Sequence, residues 1–229
     1  MIERTPISQA AARRLQEMIR SGEFGADERL PSQRDLSERM GISRPSLREA
    51  LMTLETLGIV RTYPGRGTYV ARHGAASATG GQGWRYGSEH TIANVFEVRI
   101  LIEARLARHA AALATLEDIE VLTTLTDRME AAWSENDLVV HVEADSAFHR
   151  CIAQKTTNAL LAETYERVEP LLTETQRQPI PFTRAGRMSQ SIGEHRQIVA
   201  ALNGRDPDGA ELAMAEHIRN TAACAGIAV

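Results

Sequence analysis

Cysteine is scarce in this chain: Cys151 and Cys224 are the only two, too few for a disulfide framework, which fits a reducing, cytoplasmic setting. Long apolar runs are missing as well. No stretch approaches the roughly 18 uninterrupted apolar residues that a membrane span needs, so no membrane partner is expected. The N-terminus carries Glu3, Arg4, Arg13 and Arg14 with no apolar signal core, which argues against export. Nor is there a large excess of positive charge. The net charge is −4, which at first speaks against a nucleic-acid partner. The two ends of the chain differ, however: residues 1–73 hold 12 Arg, no Lys and 9 acidic residues, while the remainder holds 14 basic and 21 acidic ones. A modestly basic head on an acidic body suits phosphate contact through one domain only. At 229 residues, two domains are the natural expectation, each large enough to bury a core.

The most informative stretch runs from Leu30 to Val70. Ser32 followed by Asp35 reads as a capping-box start for a helix, and Met40-Gly41-Ile42-Ser43 breaks that helix after about two turns. Ser43 then caps a second helix, with Pro45 in the first turn, where the missing N–H does no harm. Leu47, Leu51 and Leu54 recur at helical spacing on its inner side, extended by Leu57, while Arg44 and Arg48 share another face. Ile59–Thr62 and Thr68–Val70 read as two strands around the tip Tyr63-Pro64-Gly65-Arg66-Gly67. This is the pattern of a winged helix-turn-helix. Its second helix fits the DNA major groove, where an arginine can hydrogen-bond guanine O6 and N7 together. Arg44 and Arg48 are the candidate base readers. Ser43 and Ser46 are candidates for phosphate, Arg34 for a phosphate or a base edge, and Gly65, Arg66 and Gly67 for a wing contact. The competing reading is an ordinary solvated helix face carrying arginines.

Leu30-Pro31-Ser32, Ser43-Arg44-Pro45-Ser46-Leu47-Arg48-Glu49-Ala50-Leu51, Leu57-Gly58 and Gly65-Arg66-Gly67-Thr68-Tyr69-Val70 resemble the N-terminal domain of the GntR family of bacterial transcription regulators. The resemblance covers roughly the first 70 residues and implies sequence-specific binding of double-stranded DNA. Two positions depart from the family pattern: Gln33 stands where Glu is usual, and Ala26-Asp27 replaces a common Pro-Gly turn.

Ahead of this motif, residues 7–21 read as a helix with Ile7, Ala11, Leu15, Met18 and Ile19 facing inward, and with Arg13 and Arg14 on a solvated surface. Behind it, 74–89 is rich in Gly, Ala and Ser and reads as a flexible linker, in which Trp84 and Tyr86 stand out as residues that pin it to one of the two domains. From Thr91 the pattern is helical throughout, in segments 91–114, 117–133, 137–155, 158–177, 184–203 and 206–223. The expected architecture is therefore mainly α. A winged helix-turn-helix domain over 1–73 and a linker over 74–89 precede an all-α bundle of about six helices over 90–229.

Within the bundle, Asp145, His149, His195 and His217 form a candidate metal set. Asp145 and His149 share one helix face a turn apart, and three imidazoles with a carboxylate suit a borderline divalent ion, zinc first, with nickel or manganese as alternatives. The competing reading is a chance scatter of histidines, of which the chain has seven. His141 lies on the same face but two turns from His149, too far to share an ion. Cys151 points away from His149 and is expected in the core.

Phe96-Glu97-Val98-Arg99 with Glu103, Asp145-x3-His149, Ile152-Ala153, Asn158, Glu194-His195 and His217 resemble the FCD effector domain of the FadR-type branch of GntR regulators, over about residues 90–223. The resemblance implies that Asp145, His149, His195 and His217 hold a divalent metal, and that Arg99 faces the effector pocket and pairs with a small organic acid. For Arg99, a surface ion pair with Glu103 is the alternative. The function expected is a homodimeric repressor on a palindromic operator, released by its organic-acid effector. A metal sensor without organic effector is the main alternative. A metal-dependent hydrolase is the least supported reading, because no general base or nucleophile stands beside the ligands, and no catalytic residue is expected.

Overall fold

In the computed structural model, residues 6–71, 84, 86 and 89–229 are described, and the chain divides into two units, Met1–Gly83 and Trp84–Val229. Most of the expected linker therefore lies outside the described residues.

The first unit contains α1 (Ile7–Arg20), α2 (Gln33–Met40), α3 (Arg44–Thr56), β1 (Val60–Tyr63) and β2 (Gly67–Val70). Helix α1 packs on α3 through Ala11, Ala12, Leu15 and Gln16. Ile7, expected to face inward, is exposed, because it opens the helix one turn ahead of the packed set, and Met18 and Ile19 are only half-buried. Ser32 caps α2, accepting the Asp35 N–H at 3.2 Å. The reciprocal half of the box is replaced, since the Asp35 carboxylate accepts the Ser32 hydroxyl instead, at 2.7 Å. Gly41 ends α2 in the left-handed conformation, at φ 65°. Ser43 caps α3, whose buried side is Leu47, Ala50, Leu51 and Leu54.

Strands β1 and β2 pair antiparallel with Val60 opposite Val70 and Tyr63 opposite Gly67. Residues 27–30 add a third edge: the Leu30 N–H donates to Thr68 O, and the Val70 N–H to Glu28 O. Asp27, in place of the family's turn glycine, itself takes a positive φ of 62°, so the turn shape survives the substitution. At the wing tip, Pro64 and Gly65 form the corner of a turn closed by the Arg66 N–H on Tyr63 O at 3.0 Å.

The second unit holds six helices among the described residues: α4 (Ile92–Leu113), α5 (Leu116–Ser134), α6 (Leu138–Ala153), α7 (Ala159–Arg177), α8 (Ala185–Asn203) and α9 (Pro207–Cys224). Five begin at a short polar side chain that accepts a first-turn N–H: Thr91, Thr115, Asp137, Asn158 and Asp206. Thr115 and Asp118 form a complete capping box. Helix α4 lies along α9, α5 along α6, and α8 against both α5 and α9. Phe96, Leu106, Phe148, Ile152, Leu122 and Met129 are fully buried between them. Trp84 belongs to this unit. Its ring packs on the cluster of Val95, Leu106, Ala153, Tyr165 and Leu172, and its Nε1–H donates to His90 O at 2.6 Å. Cys151 is half-buried, not a core residue: it lies beside the surface ion pair of Lys155 with Asp118, 2.7 Å apart. No helix among the described residues is long and apolar enough to cross a membrane.

Two glycines of the first unit differ in backbone strain. A Cβ at Gly41 would meet nothing within 4 Å, and at Gly67 it would meet only the guanidinium end of the exposed Arg29 side chain, which can move aside; the difference is that Gly41, at φ 65°, is in the left-handed helical region, whereas Gly67, at φ 108°, lies beyond it. Gly41→Ala is expected to cost about 1 kcal/mol from backbone strain alone, and Gly67→Ala more. Urea unfolding of the two variants checks the order, and equal losses would contradict it.

Candidate metal centre and nucleic-acid interface

Helix α6 presents Asp145 and His149 one turn apart, α8 presents His195, and α9 presents His217. One ligand atom from each lies within 4.8 Å of every other. The imidazoles are close, with centroids 4.3 Å apart for His195 and His217 and 5.4 Å apart for His149 and His217. All three are buried, and the Asp145 side chain is 13% exposed, which leaves one open side.

The outer nitrogen of each imidazole is engaged. His195 Nδ1 lies 2.8 Å from Ser191 O, and His217 Nδ1 lies 2.9 Å from Glu194 Oε2. His149 Nδ1 lies 2.5 Å from Glu103 Oε2, a charge contact and not an aligned hydrogen bond. An acceptor at Nδ1 favours the tautomer whose Nε2 lone pair faces inward, and at His149 that lone pair accepts from the Arg99 guanidinium at 3.1 Å. The Nε2 atoms turn toward the shared centre: that of His195 is 2.9 Å from Asp145 Oδ1, and that of His149 is 3.7 Å from the same oxygen. Three imidazoles oriented from behind, with one carboxylate among them, are the donor set that a borderline divalent cation takes. The residues present therefore fit such an ion.

Burial and charge set the protonation states. Burial, together with repulsion from His195, pushes the His217 imidazole down to about 3 from its ordinary 6.5, against the opposing Glu194 hydrogen bond. Burial raises the Asp145 carboxyl, but the His195 hydrogen bond and the positive charge of His149, His195 and Arg99 outweigh it and hold the group far below the usual carboxylate range. Glu194 is likewise lifted by burial and overcome by hydrogen bonds from His217 and Arg187, ending at about 2.

Arg99 is wholly buried, so the surface ion pair considered from the sequence is corrected. The pair with Glu103 exists, Nε to Oε1 at 3.0 Å, but α4 turns both residues inward. The guanidinium also donates to Thr175 Oγ1 at 3.3 Å and meets His149 Nε2 at 3.1 Å. Beside the quartet lies a cleft of about 440 Å³, open solvent included, lined by Arg99, Asp145, His217, Gln176 and Arg187 among others. Glu194, Thr175 and Arg187 carry parts of the site that sequence spacing did not single out. Glu194 neighbours His195 in the chain yet serves His217 on another helix, a contact that only the folded packing creates. His141 stays outside the quartet: its Nδ1 is 2.9 Å from Met129 O, and its ring packs edge-on against Trp133.

In the first unit, Arg44 and Arg48 are exposed on α3. The Ser43 and Ser46 hydroxyls lie 2.9 Å apart at its start. Arg34 is exposed and paired with Glu38 at 3.0 Å, an i,i+4 surface contact weak enough to exchange for another anion. Arg66 stacks over Tyr63 at the wing tip, 5.8 Å from the ring centroid. Gly65 and Gly67 both take positive φ, so the turn itself requires them.

A winged helix-turn-helix followed by an all-helical domain with a polar, histidine-lined cleft defines a class, the two-domain DNA-binding regulators. Residues 7–70 match the gntR family of bacterial regulatory proteins, and residues 94–220 match the FCD domain. The Glc operon transcriptional activator of Escherichia coli strain K12 is 33% identical over 224 residues, 95% of this chain and 88% of that protein. The HTH-type transcriptional repressor NanR of Klebsiella aerogenes is 29% identical over 236 residues, 97% of this chain and 86% of its own length. Among solved structures, E. coli McbR/YncC is 18% identical with a TM-score of 0.55, covering 97% of this chain and 98% of that one, and shares the fold. The chain belongs to the GntR family, in its FadR-type branch with a C-terminal FCD domain. It is a DNA-binding transcription regulator and not an enzyme, and the hydrolase alternative falls with that assignment.

The protonation states predict an acid-sensitive fold. Unfolded His217 takes a proton near 6.5 but folded His217 only near 3, so the unfolded chain binds more protons between those values and stability falls as pH drops through them. Glu194 adds a further loss between 4.5 and 2. Thermal melts in chelator from pH 8 to pH 4 should show a decline that begins below about pH 6.5, and a flat profile would contradict the burial of His217. For the metal, Glu194→Gln should weaken divalent-ion affinity by about 10–100-fold, the usual cost of losing an outer partner of a ligating histidine. Competition with a chromogenic chelator measures it, and unchanged affinity would remove Glu194 from the centre.

Proposed function

We propose that this regulator is a repressor whose operator affinity is controlled by a small organic acid bound at a divalent metal, most simply zinc, held by Asp145, His149, His195 and His217. The observation that carries the proposal is the convergence of the His149 and His195 Nε2 atoms with a carboxylate oxygen, the His195 and His217 imidazoles held by acceptors at Nδ1, beside a cleft that reaches Arg99. When bound, the metal supplies Lewis acidity toward a ligand carboxylate. The chain supplies the rest. Arg99 offers a buried guanidinium for the same carboxylate, and Glu103 and Glu194 keep His149 and His217 in place.

The head acts through 1–73, with Arg44 and Arg48 on base edges, Arg34, Ser43 and Ser46 on phosphate, and Gly65, Arg66 and Gly67 at the wing. The effector domain spans 90–229, after a linker over 74–89. The protein works in the cytoplasm as a homodimer on a palindromic site, whose symmetry mirrors its own. Val98 and Leu101, three apart on α4 and 39% and 72% exposed, give that helix an apolar outer face that a second copy would cover. Named relatives include both an activator and a repressor. Release on effector binding rests on coupling: the acid must bind one arrangement of the heads better than the other.

Two measurements test this. Arg44→Ala and Arg48→Ala should each cost about 1–3 kcal/mol of operator binding and relax base preference, while Arg66→Ala should weaken all sequences alike and lower the salt slope by about one. Gel shifts across a salt series read both, and unchanged binding in all three variants would move the interface elsewhere. A thermal-melt screen of small organic acids on zinc-loaded and chelator-stripped protein tests the effector. An acid at about 100 times its dissociation constant adds about 2.7 kcal/mol. Stabilisation of the metal-loaded form alone supports the proposal. Stabilisation by zinc with no response to any acid favours the metal sensor.

A further inference from the structure

Residues 74–83 contain no apolar side chain larger than alanine, so nothing in that run can seat in a hydrophobic cluster. Trp84, the residue after it, has the area to do so. Its ring packs on a cluster made by Val95 and Leu106 of α4, Ala153 of α6, and Tyr165 and Leu172 of α7. Its Nε1–H donates to His90 O at 2.6 Å, and the Tyr86 ring stands edge-on to it, 5.7 Å between centroids. Tyr86 O accepts the N–H groups of Glu89 and His90, both at 2.9 Å, and Thr91 then caps α4. The chain is thus tied down at Trp84, Tyr86 and His90 before α4 begins. The seat of the indole is braced as well. Its residues stand about one turn, on the same three helices, from the groups that meet at Arg99. Val95 is four before Arg99, Leu106 three after Glu103, Ala153 four after His149, and Leu172 three before Thr175.

An anchor at this position decides how much chain separates the head from the helical unit. With Trp84 seated, the connecting run is 74–83. With Trp84 undocked, the seven residues 84–90 join it and add up to about 25 Å of reach, at about 3.6 Å per residue. On the proposed reading of a homodimer at a palindromic site, on which this step rests, that reach bears on operator choice. Each base pair inserted between half-sites moves one of them about 3.4 Å along the duplex and about 35° around it. The second head binds in tandem only if its linker spans the displacement. Its effective concentration is near zero when the linker is too short, and falls only slowly with excess length. We infer that Trp84 is a positioning residue for operator recognition: seated on α4, α6 and α7, it ends the linker at residue 83 and so fixes the half-site spacing that the regulator accepts.

Selection of sites from a random duplex library by the full chain gives both the half-site sequence and the spacing. Gel shifts on the selected site, with one or two base pairs added or removed, then give the spacing penalty. The unaltered chain should prefer one spacing and lose at least about tenfold on either side of it. Trp84→Ser should select the same half-site sequence and cut that penalty to about threefold or less. Trp84→Phe, which keeps an apolar ring on the cluster, should retain the preference. Deleting 74–80 from the Trp84→Ser chain removes as many residues as the substitution frees, and should restore the preference, which a merely destabilised helical unit would not do. If Trp84→Ser does not fold, seven Gly and Ser residues inserted between Gly83 and Trp84 leave the seat intact and should relax the spacing in the same way. A spacing penalty unchanged in Trp84→Ser or in the insertion chain overturns the inference, as does a uniform loss at every spacing or an unaltered chain indifferent to spacing; paired half-sites would still leave the dimer reading standing. Selection of single half-sites by the unaltered chain removes the dimer reading, and this inference with it.

Discussion

A guanidinium with no solvent exposure has to find its compensation inside the protein, and in the helical unit Arg99 is the largest side chain buried to that degree. An unpaired charge there would be prohibitive, while a paired and hydrogen-bonded one is tolerable. Glu103 on the same helix supplies the charge, Thr175 on α7 an oxygen and His149 on α6 a ring nitrogen. These contacts tie three helices to one point. They also bring Glu103 against His149, so the group that neutralises Arg99 also touches an imidazole of the proposed metal quartet. Glu194 repeats the arrangement on the other side, taking Arg187 and His217 together. The quartet is thus held from behind by two arginine–carboxylate pairs, and its open side faces the cleft.

Much of this was legible in the sequence because local chemistry announces it. Helix starts were readable where Ser43, Thr91, Asp137, Asn158 and Asp206 stand before apolar-periodic segments, since capping depends on residues only three apart. The wing was readable from Gly65 and Gly67, because few other residues tolerate those backbone angles. The order Asp145-x3-His149, His195, His217 was readable because one helical turn fixes the first pair and the family resemblance links the others. The quartet that results is a convergence of three helices that no spacing rule states.

What escaped the sequence depends on packing between elements. The depth of Arg99 could not be read, because a polar side chain at i,i+4 from Glu103 looks the same inside or outside a helix bundle. Glu194 sits beside His195 in the chain but serves His217. Cys151 points away from the quartet as expected, yet helix geometry does not say whether that opposite face is core or, as here, the border of a surface ion pair. Ile7 has the period of a packed residue but lies before the turn where packing begins. The Ala26-Asp27 departure from the family turn was absorbed by Asp27 adopting the positive φ itself, an outcome that depends on the 27–30 segment being tied to β2.

The most direct test of the central claim is calorimetric titration of zinc into chelator-stripped protein, for the unaltered chain and for Asp145→Ala and His195→Ala. The account predicts one tightly bound ion per chain, an affinity lost by at least about a hundredfold in each variant, and operator-sized DNA still bound by both, since the head is untouched. Zinc bound equally well by all three proteins would contradict it, and would mean that the four side chains meet only as part of the helical core.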